Sequence, residues 1–520
     1  MGRYLRLSKG PGEARVTRLD LSPGGTPSGQ RSSILHLVHL TDMHVVDVQS
    51  PGRFEFMERF GGAPTSMKVV LPAHRPHEFL HLQYCEAMIR TLNRLPASPI
   101  TGAPVSLVVS TGDNIDNAQG NEFDWFLTLM GGGRVSPSSG GPRYEGVQAL
   151  EWYDPVYWHP DPMDDRPRRD HAFPTYSGLL EEAMSPFEAE GLRYPWVTCY
   201  GNHDALLLGA AHVGPSMAAI LSGDRKAVLP PAHFQPADLN EFVDHPERLL
   251  GAPYRHVTAD AGRGAYGRAE YREAMATAPG RPQFHGTGKS ADMLYAVDDS
   301  IPGVRLIMLD TTNPGGDYQG SLGLWQAGWL EARLTEVHSR SRNLSEWQDG
   351  GGEDRLVVIC SHMPSGSLVN DRRAEPGTPG RDQPRLLDQE VVALLHRFPN
   401  VVLWLNGHTH HAHVVAHPHP QGETPGFWEV TTPSLIDWPG EARIVEIVEN
   451  DDGTISIFCT MVTADVPLDP AEATGLERLA SIARDVMAND PHAGAASPLA
   501  GGSADRTVEL VVRHPWKGRV

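Results

Sequence analysis

The sequence predicts an α/β fold interrupted by two long insertions. Short apolar runs rich in β-branched residues alternate with stretches of helical spacing, the pattern of βαβ units and a parallel sheet. Five of these runs end in a polar cluster holding Asp, Asn or His, and open α/β sheets place their sites at the carboxyl ends of their strands. The length of 520 residues exceeds one ordinary core, which means two or three domains or one large domain with insertions.

Residues 1–30 are partly Gly-, Pro- and Ser-rich and read as a loosely ordered extension. Ser33 to Leu40 reads as a strand ending at Thr41-Asp42-Met43-His44, and residues 77–94 carry apolar groups at helical spacing. Val105 to Ser110 is the next strand and ends at Thr111-Gly112-Asp113-Asn114-Ile115-Asp116. Residues 117–194, with many aromatics, Pro and Gly, read as a first insertion; it includes the Gly-rich stretch from Gly131 to Gly141. The duller role for its aromatics, a small core of its own, is favoured over substrate contact. Trp196 to Tyr200 resumes the pattern and delivers Gly201-Asn202-His203-Asp204. Residues 205–292 lack clear alternation and read as a second insertion, a cap.

Val304 to Asp310 is a strand, and Ser321 to Leu334 an amphipathic helix with Ser321 as N-cap and Leu322, Trp325, Trp329, Leu330 and Leu334 facing the core. Arg355 to Cys360 is a strand delivering Ser361-His362. Val401 to Leu405 has the length and β-branched content of a buried strand, and Asn406-Gly407-His408-Thr409-His410-His411-Ala412-His413 follows it. Histidines alternating just past a strand end suit Zn, Mn or Fe, although a stretch like this read alone is as readily a solvated loop. Closing strands are expected at 428–432, 442–448 and 454–462, a helix at 472–487 and a short strand at 508–512. Residues 463–520 thus form a C-terminal helix and tail.

Composition narrows the function. A net charge of −20 lacks the basic footprint that long nucleic acid requires, but it leaves room for a small phosphate ester held by metal ions. No apolar run approaches the roughly 20 residues needed to span a bilayer. Met1 to Arg6 has no apolar segment behind its basic residues, so the expected location is cytoplasmic. Four cysteines are too few for a disulfide framework; Cys85, Cys199, Cys360 and Cys459 read as small buried hydrophobes.

Asp-x-His, Gly-Asp-x-x-Asp, Gly-Asn-His-Asp, a lone His and Gly-His-x-His thus follow apolar runs in that order. Each motif alone is weak; the ordered set, over residues 34–462, resembles the calcineurin-like metallophosphoesterase superfamily. The resemblance implies a four-layer sandwich of two mixed β-sheets flanked by helices, in one domain over 31–462. It also implies two divalent or mixed-valence metal ions, Mn, Fe or Zn. In this sequence Asp42 and His44 would hold the first ion together with His410, Asp113 would bridge, and Asn202, His362 and His408 would hold the second. His203 would face the phosphate, and Asp204 would orient its ring. His411 and His413 fall outside the pattern and read as surface or supporting groups, and His417 and His419 as solvated loop residues.

The implied activity is hydrolysis of a phosphate ester by a metal-bridging hydroxide, since two ions supply both nucleophile and positive charge. Asp116-Asn117-Ala118 stands where protein Ser/Thr phosphatases carry Asp-Arg-Gly, and Asp116 where purple acid phosphatases carry Tyr. His44, shared with related phosphodiesterases, leans the reading to diesters; the alternative is a phosphomonoesterase on nucleotides or sugar phosphates. An inactive scaffold is a third reading, which the intact ligand positions count against.

Overall fold

The computed structural model describes residues 3–24, 27, 29–60, 72–232, 234, 241–278, 296–343, 346–373 and 384–517. It is a mixed α/β structure with two large mixed sheets. In chain order the strands are β1 (Val16–Leu21), β2 (Arg31–Leu40), β3 (Leu107–Ser110), β4 (Trp196–Thr198), β5 (Ala296–Asp298), β6 (Val304–Met308) and β7 (Leu356–Cys360). They continue with β8 (Val401–Asn406), β9 (His413–His417), β10 (Phe427–Thr431), β11 (Glu441–Asn450), β12 (Thr454–Thr463) and β13 (Val508–Arg513). The longer helices are α1 (His81–Asn93), α2 (Gly120–Gly131), α3 (Leu324–Thr335), α4 (Asp388–His396) and α5 (Gly475–Ala488). The first sheet runs β1-β13-β12-β11-β2-β3-β4, and the second β9-β10-β8-β7-β6-β5.

The strand period of two explains how the layers pack. On β2, Leu35 and Leu37 enter a core shared with Leu306 and Met308 of β6, Val358 of β7 and Leu405 of β8, so this core lies between the sheets. Val38 and Leu40, on the other face of β2, pack with Met88 of α1, Phe126 of α2 and Val486 of α5. Ile307 and Ile359 point away from the shared core toward Leu330 of α3 and Leu395 of α4. Strands β2, β3 and β4 are mutually parallel, as are β6, β7, β8 and β10, so both sheets direct strand ends to one place.

Several expectations change. The N-terminal extension supplies β1, which pairs in parallel with β13 as an edge strand. The stretch after residue 117 begins with α2, whose Phe123, Phe126 and Met130 join the core on the outer face of the first sheet. Apolar spacing of three and four residues at those positions was the available signal. Tyr144, Trp158 and Phe173 enter that same core rather than a separate one. Helix α3 starts at Leu324 after Gly323, because Leu322 and Gly323 pair with Leu386 and Arg385 as a short two-stranded ribbon. Trp325 is consequently 67% exposed instead of facing the core. Of the second expected insertion, residues 233, 235–240 and 279–292 lie outside the described residues. All four cysteines are buried and unpaired, as expected of small hydrophobes. Among the described residues no helix is long and apolar enough to cross a membrane.

Leu306 is fully buried between the sheets, so Leu306→Ala removes apolar contact on both sides. It should cost about 2–5 kcal/mol, read as a lower midpoint in urea unfolding. A cost below about 1 kcal/mol would contradict this packing.

Candidate metal centre

Five loops converge beyond the carboxyl ends of β2, β3, β4, β7 and β8. The Asp42 amide donates to the Gly112 carbonyl (3.0 Å) and the His44 amide to the Asp113 carbonyl (2.9 Å), which joins the loops after β2 and β3. The Gly407 amide donates to the His362 carbonyl (3.0 Å), joining those after β7 and β8. The His408 amide donates to Asp42 Oδ2 (3.0 Å), and this bond ties one sheet to the other.

The backbone here is held in an uncommon conformation. Ten non-glycine residues among those described have left-handed φ, and five of them are Asp42 (50°), His44 (43°), Asp113 (48°), His408 (68°) and His410 (57°). Such residues cost free energy and persist where surrounding contacts over-determine them, commonly at functional sites. Two motif glycines are needed for space. A Cβ on Gly201 would strike the Asp113 carboxylate, and one on Gly407 would strike Thr41 Oγ1 and Asp42 Oδ2.

The side chains form two donor clusters. Asp42, His44 and His410 make one, and Asp113, His362 and His408 the other; within each, one ligand atom per residue lies within 4.8 Å of the rest. Asp113 also groups with His44 and His203, so it stands between the clusters. His410 Nε2 is 3.2 Å from Asp42 Oδ1 and 3.2 Å from His44 Nε2. His362 Nε2 is 3.0 Å from Asp113 Oδ2 and 3.0 Å from Asn202 Oδ1. Donors about 2.1 Å from one ion stand roughly 3.0–3.4 Å apart in octahedral or tetrahedral geometry. The donor set therefore fits two ions bound through N and O.

Behind the donors lie contacts that fix three of the imidazoles, those of His44, His410 and His362, with Nε2 inward. His44 Nδ1 pairs with Asp116 Oδ1 (3.0 Å), His410 Nδ1 with Asp437 Oδ2 (2.5 Å) and His362 Nδ1 with the Thr111 carbonyl (2.8 Å). Arg53 Nη1 donates to Asp116 Oδ2 (2.6 Å) and its Nη2 to Glu78 Oε2 (2.7 Å). Arg75 donates through Nε to Asp437 Oδ1 (2.5 Å) and through Nη2 to Oδ2 (3.1 Å). Arg53, Arg75 and Asp437 were not visible in the sequence, since no motif contains them and their partners are remote in the chain.

Two of the imidazoles, those of His410 and His362, carry compensating charge. Burial alone would pull His410 and His362 down. Asp42 and Asp437 lift His410 to about 10, and Asp113 and Asp42 lift His362 to about 9. Burial and neighbouring His362 push His408 down to about 3. Burial opposes ionisation of Asp42 and Asp113, yet the facing histidines hold both carboxyls below their ordinary range.

His203 sits with Asp113 Oδ1 accepting from its amide (2.8 Å) and with Nδ1 2.6 Å from the Asp116 carbonyl oxygen, leaving Nε2 as the remaining ring nitrogen. Asp204 was expected to orient that ring. Its carboxylate instead accepts from the amides of Asn114 (3.0 Å), Ile115 (3.1 Å) and Gly201 (2.8 Å), so it ties the loop after β3 to the loop after β4. The four peripheral histidines divide. His411 and His413 are near the surface, stacked with centroids 5.8 Å apart. His417 belongs to β9 and bonds Glu429 (2.7 Å), and His419 is buried beside His396 rather than solvated.

A cavity of about 550 Å³ opens over both clusters. Its remaining wall comes from residues 72–75, Leu208, Tyr318, Gln319, Ser367 and the C-terminal stretch 492–499. No lining residue falls within 117–194, because that stretch packs against the helical face of the first sheet.

No protein-family model and no curated protein sequence matches the chain. Among solved structures it is similar to a dimetal phosphatase from Danio rerio, with 11% identity and a TM-score of 0.37, over 84% of this chain and 100% of that one. It is also similar to a purple acid phosphatase from yellow lupin seeds, with 11% identity and a TM-score of 0.32, over 82% of this chain and 52% of that one. The case for a metal centre rests on the side chains themselves.

Because His362 and His410 hold protons above neutrality, metal binding should displace them. Apparent affinity for Mn or Zn should rise from pH 6 toward about 9–10, with proton release measurable by calorimetry in two buffers of different ionisation enthalpy. A histidine raised in the folded state stabilises fully below its unfolded value near 6.5 and loses that contribution as pH climbs through its folded value. The metal-free protein should therefore lose stability between pH 7 and about 10. Metal affinity that is flat across this range would contradict protonated His362 and His410 in the metal-free site.

Proposed function

We propose that the protein is a dinuclear metal-dependent hydrolase of phosphate esters. The observation that carries this is the pair of donor clusters sharing Asp113, with His203 beside them and a cavity above. Bound there, two cations of Mn, Fe or Zn type would acidify water and offset phosphoryl charge. Asp42, His44 and His410 would hold one and Asn202, His362 and His408 the other, with Asp113 placed between the two donor clusters. The packing supports the finer four-layer reading, helix–sheet–sheet–helix, with the site at one end.

His203 is the group assigned to the substrate. Its Nδ1 is occupied by the Asp116 carbonyl, which sets the tautomer and leaves Nε2 to meet a phosphoryl or leaving oxygen. Burial, with His44 beside it, holds the ring below the ordinary histidine range even though Asp113 and Asp116 oppose that fall. The substrate class we favour is a phosphodiester. Arg53 and Arg75 line the cavity, but Glu78, Asp116 and Asp437 neutralise them, and a singly charged diester asks for less positive charge than a monoester dianion.

Elemental analysis followed by bis-aryl and mono-aryl phosphate assays on one sample tests the reading. Two ions per chain and faster diester cleavage are expected; fewer than two ions in the fully active protein would sink it. A higher monoester rate would remove the diester assignment and leave the hydrolase.

Two variants separate holding from chemistry. Asp113→Asn should lose metal together with activity, since it removes charge that offsets repulsion between two dications. His203→Ala should keep both ions while turnover falls roughly 10²–10⁴-fold, and less with an activated leaving group if the ring donates a proton. Metal lost from His203→Ala and retained in Asp113→Asn would overturn the whole assignment.

A further inference from the structure

Beyond the metals, the cavity wall is built by a segment the motifs do not touch. Residues 490–500 follow α5 and run beneath the histidine loop. The Ala412 amide donates to the Leu499 carbonyl (2.9 Å), two residues past His410. The Trp438 amide donates to the Ala493 carbonyl (3.3 Å), next to Asp437. At its start the Asp490 carboxylate caps the turn by accepting from the amides of His492 (2.8 Å) and Ala493 (3.2 Å). His492 Nε2 lies 3.0 Å from Glu58 Oε1, which fastens the segment to the opposite rim. The arm is thus pinned to the loops carrying His410 and its partner Asp437, so its wall keeps register with the metal site.

This wall is largely apolar. The arm contributes Ala493, Pro498 and Leu499 together with Ser497 and His492, and Pro72, Ala73, Leu208 and Tyr318 add carbon elsewhere beside the uncharged Gln319, Ser367 and Thr409. Leu499 and Tyr318 are half-buried and so keep surface for a ligand, and the Tyr318 ring lies stacked on His408 with centroids 6.1 Å apart. The cationic side chains among the described lining residues are already matched: Arg53 by Glu78 and Asp116, Arg75 by Asp437, and His492 by Glu58. A second phosphate or carboxylate on the substrate would meet no unmatched cation among them, whereas an uncharged ring or alkyl group would meet carbon.

We infer that the arm 490–500 is the specificity wall of this site and selects phosphate esters whose organic group is uncharged and apolar, aryl or alkyl, over polyphosphates and sugar phosphates. This rests on the phosphoesterase reading above. The wall supplies binding that scales with buried apolar area, while the metal donors and His203 hold the phosphoryl end.

Phosphonates test it without turnover. Calorimetric titration of the Mn-loaded protein should give phenylphosphonate roughly tenfold tighter than methylphosphonate, the worth of a partly buried ring. In Leu499→Asn, and to a smaller degree in Leu499→Ala, that ratio should fall toward one while methylphosphonate still binds, which also reports an intact site. Equal binding of the two phosphonates by the unaltered protein, or an unchanged ratio in Leu499→Asn with methylphosphonate bound, overturns the wall alone. Failure of either phosphonate to bind the Mn-loaded protein overturns the phosphoesterase reading and the wall with it.

Discussion

The structure depends on keeping two carboxylates, Asp42 and Asp113, ionised where water is nearly excluded. Both are almost fully buried, with His44 Nε2 3.9 Å from Asp42 Oδ1 and 3.7 Å from Asp113 Oδ2, an arrangement that is expensive unless positive charge is brought to it. Four imidazoles face the pair, and two of them, His44 and His410, are set in place by carboxylates further out. Those outer carboxylates, Asp116 and Asp437, are in turn held by Arg53 and Arg75. Charge alternates outward from the centre, acidic, then basic or metallic, then acidic, then basic. Removing any layer leaves an uncompensated buried charge in the one beneath it. This explains why residues 50–60 and 72–80, which carry no recognised motif, hold Arg53 and Arg75 against the site.

The same requirement accounts for the strained backbone. A carboxylate at the end of a strand normally points along the sheet toward solvent. Turning Asp42, His44, Asp113, His408 and His410 back over the strand ends takes left-handed φ at each. The cost is borne because the flanking strands are rigid. Leu37, Val109, Cys360 and Leu405 lock β2, β3, β7 and β8 into the core between the sheets. Gly201 and Gly407 sit where a side chain would displace the carboxylates themselves. Packing between the sheets and geometry at the site are therefore one problem, since a slip of either sheet would break the bond from the His408 amide to Asp42.

What was legible in the sequence follows from how local each constraint is. Asp42, Asp113, Asn202, His362, His408 and His410 were readable because each stands a fixed step beyond a short apolar strand. In the structure Asp42 lies with His44 and His410, and Asp113 with His362 and His408. Arg53, Arg75 and Asp437 were not readable, because a buried salt bridge between residues 63 positions apart, as for Arg53 and Asp116, or 362 apart, as for Arg75 and Asp437, leaves no local pattern. Helix α2 was obscured by the glycines and prolines after it, although Phe123, Phe126 and Met130 carried helical spacing. Strand β1 was missed because its partner β13 lies at the other end of the chain. Asp204 was misplaced for a subtler reason: a carboxylate next to a histidine in sequence points elsewhere once both enter the first turn of a short helix.

Asp116 shows how little room this site leaves for substitution. One carboxylate oxygen meets His44 Nδ1, the other accepts from Arg53, and its carbonyl oxygen receives His203 Nδ1. A single residue thus orients a ligand of one donor cluster and the ring assigned to the substrate. A tyrosine here could neither accept from Arg53 with a second oxygen nor balance its charge. An arginine would face Arg53 directly at a buried position. With Asp116 fixed in this role, Arg53 is spent on the protein rather than on the substrate, and Arg75 is spent likewise on Asp437. On the reading proposed above, the positive charge that would draw a phosphate into a protein of net charge −20 would have to come from bound metal ions. That confines strong electrostatic recognition to the phosphoryl group and leaves the rest of the substrate to the shape and polarity of the wall above it.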